Sequence, residues 1–189
     1  AENHLSGFEF LSCIPGTVGG GIKMNAGCFG NEFKDILLSI QAIDYKGNLI
    51  TIPSKKINFE YRNNDIPDNL IFLSASFKGV KSNFQKIKSQ ILKMKTQKEK
   101  NQPTKIKTSG STFKNPIRQS NKKVWELIRE SVSIETNFGD AHISSKHSNF
   151  FVNKGNATFK DMKKLIDFVS DKVFEKTGVK LDKEIKILE

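Results

Sequence analysis

The chain has 189 residues, 37% hydrophobic and 27% charged, a balance that fits a soluble globular protein with one substantial core or two small ones and excludes collagen-like and membrane-embedded classes. Its net charge of +11 is almost all lysine, since Arg62, Arg118 and Arg129 are the only arginines among 31 basic residues. No apolar run approaches the roughly 20 residues of a spanning helix, no signal peptide opens the chain, and Cys13 and Cys28 are too few for a disulfide framework or a zinc site, so the expectation is a cytoplasmic protein with free thiols, no bound metal and no membrane partner.

In chain order, the stretch 14–30, "IPGTVGGGIKMNAGCFG", holds six of the 13 glycines and reads as a loop. Ile36, Leu38, Ile40 and Ala42 then alternate with more polar residues, and Leu49 to Ile52 follow across "YKGN", which predicts a β-hairpin. Ile71, Leu73, Ala75 and Phe77 predict a further strand. At Phe84, Ile87, Ile91 and Met94 the period changes to that of a helix with lysines on its other faces. This helix is expected to fade into the polar "KTQKEKNQP", where the chain divides into domains 1–98 and 99–189. Val124, Leu127 and Ile128 predict a short helix and "NFFVN" a buried strand. Thr158 and Asp161 form a capping box for a helix with Met162, Leu165, Ile166, Val169 and Val173 inward, which Gly178 ends. The closing "LDKEIKIL" alternates again and predicts a strand, with Glu184 on the face opposite Ile185 and Ile187.

Several residues invite chemistry, each beside a plainer role. The glycine-rich stretch suits main-chain binding of phosphates, yet it matches neither the P-loop nor G-x-G-x-x-G and suits a tight structural loop equally well. Arg62, in "FEYRNND", stands where lysine is the compositional norm; a planar, permanently charged fork grips a carboxylate or phosphate, and a surface ion pair is the alternative. Ser111, in "GSTFKNP", has no base beside it in sequence and no G-x-S-x-G elbow; His142 and His147 are candidates to pair with it, but their spacing shows nothing specific to a triad. It suits a proton donor or a turn residue. The basic charge invites a nucleic-acid partner, but base readout favours arginine and these lysines are scattered, so none is expected.

Five motifs in one order settle between these roles: "GFEFLSCIPGTVGGGIKMNAGCFG", "FEYR", "GSTFKNP", "GDAHISSKHSNFFVNKGNAT" and "GVKLDKEIKIL". Together, from Leu5 onward, they resemble the UDP-N-acetylenolpyruvoylglucosamine reductase (MurB) family. The resemblance implies an α+β protein: the latter part of a vanillyl-alcohol-oxidase-like FAD-binding subdomain over 1–98, then an α/β substrate-binding domain over 99–189. It implies hydride transfer from NADPH through FAD to UDP-N-acetylglucosamine enolpyruvate, yielding UDP-N-acetylmuramate for peptidoglycan. In that chemistry Ser111 is the proton donor, Arg62 stabilises developing negative charge and Glu184 completes the polar cluster. Tyr61, Lys114 and Asn115 fall at substrate-binding positions, and Pro15, Gly16, Thr17, Val18, Gly19, Gly20, Asn25, Ala26 and Gly27 at cofactor-binding ones. The family's further N-terminal FAD-binding subdomain has no counterpart here, so the chain alone is expected to hold flavin weakly or not at all. The stretch before "SSKHSNF" is poorer in glycine than the family's, and Leu188-Glu189 replaces its usual final glycine. An inactive reductase remnant and a basic nucleotide- or nucleic-acid-binding module are the alternatives.

Overall fold

Asp44 shows how the first half folds. Its carboxylate accepts the N–H groups of Lys46 and Asn48 at 2.8 and 2.9 Å and the Asn48 side-chain amide at 3.0 Å, closing the turn between strands Leu37–Asp44 and Leu49–Pro53. Leu70–Phe77 pairs antiparallel along the other edge of Leu37–Asp44. The computed structural model describes residues 1–103 and 106–188, in two units, Ala1–Lys98 and Glu99–Glu189.

The core of the first unit gathers Ile22, Phe33, Leu37, Ile40, Ile57 and Ile66 against the three-stranded sheet. A register shift changes which residues face it. Gln41 lies opposite Ser74 but Ala42 lies opposite Phe72, so Leu73 is an extra residue on its strand. The alternation of Ile71, Leu73, Ala75 and Phe77 predicts one face for all four, whereas the bulge turns Ile71 and Leu73 to solvent and brings Phe72 inward beside Ala75 and Phe77.

The glycine-rich stretch is also more ordered than a loop. Thr17 accepts the N–H of Gly20 at 3.1 Å and caps a helix, Val18–Lys23, whose Ile22 is buried. Glycine costs a helix about 1 kcal/mol per residue relative to alanine, so tertiary packing sustains this one. A Cβ on Gly21 would stand 2.3 Å from the Phe33 ring, a close approach that requires glycine there. The helix Phe84–Asn101, expected to fade into a polar linker, instead continues through most of it, because lysine, glutamine and glutamate are good helix formers.

In the second unit a four-stranded antiparallel sheet runs in the order Lys107–Ser111, Phe150–Asn153, Ala141–Ile143, Asn137–Phe138. It mixes helix and sheet, and the strand pairings among its described residues are antiparallel. Helices Val124–Ser131 and Phe159–Thr177 bury Val124, Leu127, Ile128, Leu165, Ile166, Val169 and Val173 together with Phe113, Phe151 and Leu181. The capping box of Phe159–Thr177 forms as the sequence predicts: Thr158 Oγ1 accepts the Asp161 N–H at 3.1 Å and Asp161 accepts the Thr158 N–H at 3.0 Å. Gly178 ends the helix, donating its N–H to Phe174. The predicted final strand is instead irregular, bent at Glu184 and Ile185, with one isolated bridge, Lys183 to Phe113, because residues 112–113 give it only a short edge to pair with.

Leu165→Ala should destabilise the second unit by about 2–5 kcal/mol through loss of burial and the cavity left behind. Thr112, also fully buried, carries a hydroxyl with no hydrogen-bond partner among the described residues, so Thr112→Val should leave stability unchanged or raise it. Urea titration of both variants checks the contrast.

Candidate functional site

Arg62 sits in a two-residue turn, because Phe59–Glu60 pairs with Asn63–Asn64 and leaves Tyr61 and Arg62 between them. Its φ is +54°, in the left-handed region, which costs a side-chain-bearing residue about 1 kcal/mol. The guanidinium donates to the carbonyl of Gly27 at 2.8 Å and of Asn25 at 3.3 Å, lies 3.7 Å from a Glu32 carboxylate oxygen, and covers the Tyr61 ring at 4.9 Å. "FEYR" and "MNAG" thus meet, although 35 residues separate Gly27 from Arg62.

Asn25 makes that meeting possible. Fully buried and itself at φ +39°, it donates from its amide to Glu32 Oε2 and to the Glu60 carbonyl, both at 3.0 Å, and accepts the Lys34 N–H at 3.1 Å. Its side chain therefore braces the loop from inside. Ala26 donates to the Gly21 carbonyl and accepts from Phe33, and Gly27 pairs with Glu32. In contrast Pro15, Gly16, Thr17, Val18 and Gly20 are exposed, and Gly19 is half-buried. Cys28, beside Gly27, donates to the Phe10 carbonyl, and burial pushes its thiol up to about 11, so it is protonated at neutral pH. Cys13 is buried, and both thiols are free.

Ser111 ends the strand Lys107–Ser111 at a kink. Thr108 pairs with Val152 and Ser111 with Phe150, so one more residue lies between them on this strand than on its partner. Gly110, at φ +87°, supplies the backbone conformation. Thr108 Oγ1 donates to the Phe151 carbonyl at 2.7 Å and accepts the Gly110 N–H at 3.3 Å, pinning the start of the kink. Beyond Ser111, Lys114 donates its N–H to the Asp182 carbonyl and Glu184 donates its own to the Thr112 carbonyl, each at 2.8 Å. Ser111 and Glu184 therefore lie on neighbouring segments. Asn115 accepts the Val124 N–H at 3.0 Å through Oδ1 and so helps cap helix Val124–Ser131.

Sequence reasoning passed over Glu32 and Asn149, the polar residues that hold these two places together. Asn149 is buried, and its amide accepts the Phe113 N–H at 3.0 Å and donates to the Phe113 carbonyl at 2.9 Å. A polar residue opening the apolar run "FFV" was the available signal, since a buried amide must find partners. No group of three or more His, Cys, Asp or Glu able to hold a metal ion occurs among the described residues, and none of their helices is long and apolar enough to cross a membrane.

His147 lies beside Asn149, its ring 4.9 Å from that of Phe150 and its Nδ1 accepting the Asn149 N–H at 3.3 Å. Burial lowers its pKa because it penalises the imidazolium. The unfolded chain therefore takes up this proton first as pH falls: the stability tied to neutral His147 is fully present above about 6.5 and is lost as pH drops through the lower folded-state value. His147→Gln should flatten the fall in stability below about pH 6.5. Urea midpoints at neutral and mildly acid pH, compared between the variant and the native chain, measure it.

The sequence of residues 102–188 matches the model of the UDP-N-acetylenolpyruvoylglucosamine reductase C-terminal domain. Over 187 residues the chain is 64% identical to the UDP-N-acetylenolpyruvoylglucosamine reductase of Pelagibacter ubique, covering 99% of this chain and 62% of that protein. The reductase of the same name from Rickettsia massiliae is 48% identical over 97% of this chain and 61% of its own length. A crystal structure of the Thermus caldophilus reductase (MurB) superposes with a TM-score of 0.85 at 31% identity, covering 100% of this chain and 66% of that one. The chain spans about three fifths of the length of these curated relatives, and on the agreement of sequence and fold it belongs to the UDP-N-acetylenolpyruvoylglucosamine reductase family.

Proposed function

We propose that this chain supplies the proton-donating and charge-stabilising groups for reduction of UDP-N-acetylglucosamine enolpyruvate to UDP-N-acetylmuramate, an NADPH-dependent, FAD-mediated step of peptidoglycan precursor synthesis in the cytoplasm. The observation that carries this reading is the placement of Ser111 at a glycine kink on the segment next to Glu184. A flavin held by the glycine-rich stretch would supply the hydride, with NADPH as its source. Addition of hydride to one carbon of the enolpyruvyl double bond moves the electron pair toward the carboxylate-bearing carbon. That carbon then needs a proton, which the Ser111 hydroxyl donates, while Arg62 stabilises the negative charge as it develops and Glu184 completes the polar surroundings of the substrate carboxylate. Tyr61, Lys114 and Asn115 contribute to holding the substrate. A serine hydroxyl is a weak acid, so this role depends on placement more than on its own acidity.

The mostly exposed stretch Pro15, Gly16, Thr17, Val18, Gly19 and Gly20 is proposed to take a flavin diphosphate. Three of its six residues are glycine, no side chain there exceeds valine, and the helix Val18–Lys23 begins within it. Asn25, Ala26 and Gly27 are the remaining proposed cofactor positions. Asn25 would act by shaping the loop, because its amide is already engaged with Glu32, Glu60 and Lys34. Tight flavin binding is proposed to require the family's further FAD-binding subdomain.

In the natural-length polypeptide, Ser111→Ala should leave flavin reduction by NADPH near the native rate and slow reoxidation by the enolpyruvyl substrate by about 10²–10⁴-fold. Stopped-flow absorbance of the flavin separates the two half-reactions. Unchanged reoxidation would remove Ser111 from the proton transfer.

A further inference from the structure

The segment around Ser111 leaves its sheet just where a proton donor must be held still. Strand pairing is regular at Lys107 and Thr108, shifts across Gly110, and resumes at Ser111 opposite Phe150. The next residues continue past the start of Phe150–Asn153, where main-chain partners for both the N–H and C=O of Phe113 run out. One side chain replaces them. The Asn149 amide accepts the Phe113 N–H and donates to the Phe113 carbonyl, while the Asn149 carbonyl accepts the Thr112 N–H at 2.8 Å. On the opposite side of the same segment, the Thr112 carbonyl receives the Glu184 N–H. Asn149 thus holds one edge of residues 112–113 and the Glu184 segment holds the other.

We propose that Asn149 is a positioning residue for Ser111: its two-way amide bond to Phe113, with the register at Phe150, fixes where the Ser111 hydroxyl stands relative to Glu184. This rests on the reading of Ser111 as the proton donor. Asparagine suits the position because a primary amide presents one acceptor and two donors in a plane and can satisfy both backbone groups of a single residue. Aspartate has the same shape, yet when ionised it has no donor and sets a second acceptor against the Phe113 carbonyl. Protonation restores an O–H donor beside a carbonyl acceptor, so the acid form mimics the amide.

The test uses the flavin-loaded, natural-length polypeptide and follows the two half-reactions in Ser111→Ala, Asn149→Asp and Asn149→Ser. Asn149→Asp should reduce flavin with NADPH at the native rate and reoxidise with the enolpyruvyl substrate about a hundredfold slower at neutral pH. The deficit relative to the native protein should shrink as pH falls and the new carboxyl protonates. Asn149→Ser, too short to bridge both Phe113 groups, should be slow at every pH, and it carries the test if the aspartate variant does not fold. Native reoxidation in either Asn149 variant, with Ser111→Ala slow, would overturn the positioning role alone. Equal slowing of both half-reactions without recovery at low pH would also overturn it, showing Asn149 to serve only the stability of the unit. If Ser111→Ala reoxidises normally, the proton-donor reading fails, whatever the Asn149 variants do.

Discussion

A main chain that leaves regular structure inside a folded core must still pair its N–H and C=O groups, because a buried orphan costs about as much as a lost hydrogen bond. In this protein three buried asparagines help meet that demand: Asn25 and Asn64 in the first unit, Asn64 by donating to the Ile22 and Lys23 carbonyls and accepting the Ile66 N–H, and Asn149 in the second. Asn25 ties together the carboxylate of Glu32, the carbonyl of Glu60 and the N–H of Lys34. Asn149 brackets Phe113. The carbonyls that receive the Arg62 guanidinium belong to the loop that Asn25 shapes, and Ser111 stands two residues before the one that Asn149 holds. The side chains proposed to bear the chemistry, Arg62 and Ser111, are thus carried on irregular backbone whose shape buried amides hold.

Charge is used sparingly at these places. Most of the basic excess lies in surface lysines, several paired with nearby acids, as in Lys122 with Glu130, Lys163 with Asp167 and Lys172 with Glu175. Such exposed pairs contribute about 0–1 kcal/mol each and say more about solubility than about function. Glu32 differs. Only one-fifth of its side chain is exposed, and it meets Asn25, Lys34 and Arg62 at once, so the arginine arrives in a partly neutralised and geometrically fixed setting.

Much of the regular structure was legible in the sequence because period alone encodes it. The hairpin at "YKGN" and the helix opened by Thr158 and closed by Gly178 follow from local chemistry within a few residues. What escaped depends on partners far away in the chain. The bulge at Leu73 is a mismatch between strands, invisible in either one alone, and the strand Lys107–Ser111, "KTSGS", carries no apolar alternation to announce it. The helix Val18–Lys23 hides among glycines that conventionally signal a loop, and only the packing of Gly21 on Phe33 explains them. At the candidate site, the rarity of arginine drew attention to Arg62. No local rule could have linked Asn25 to Glu60 or Asn149 to Phe113, because those bonds close loops of 35 and 36 residues.

The backbone at Arg62 has a further corollary. At φ +54° glycine would be the more comfortable occupant, and most other side chains, asparagine and aspartate least, would share arginine's steric penalty. Arg62→Gly would relieve that strain, yet it would also remove the guanidinium's bonds to the Gly27 and Asn25 carbonyls and its contact with Glu32, so folding itself has a use for the side chain. Keeping arginine accepts a standing conformational burden in exchange for a planar, permanently charged group at that spot. What this position selects for is therefore the planar guanidinium itself, which braces the loop around Asn25 through two carbonyls whatever further task it carries.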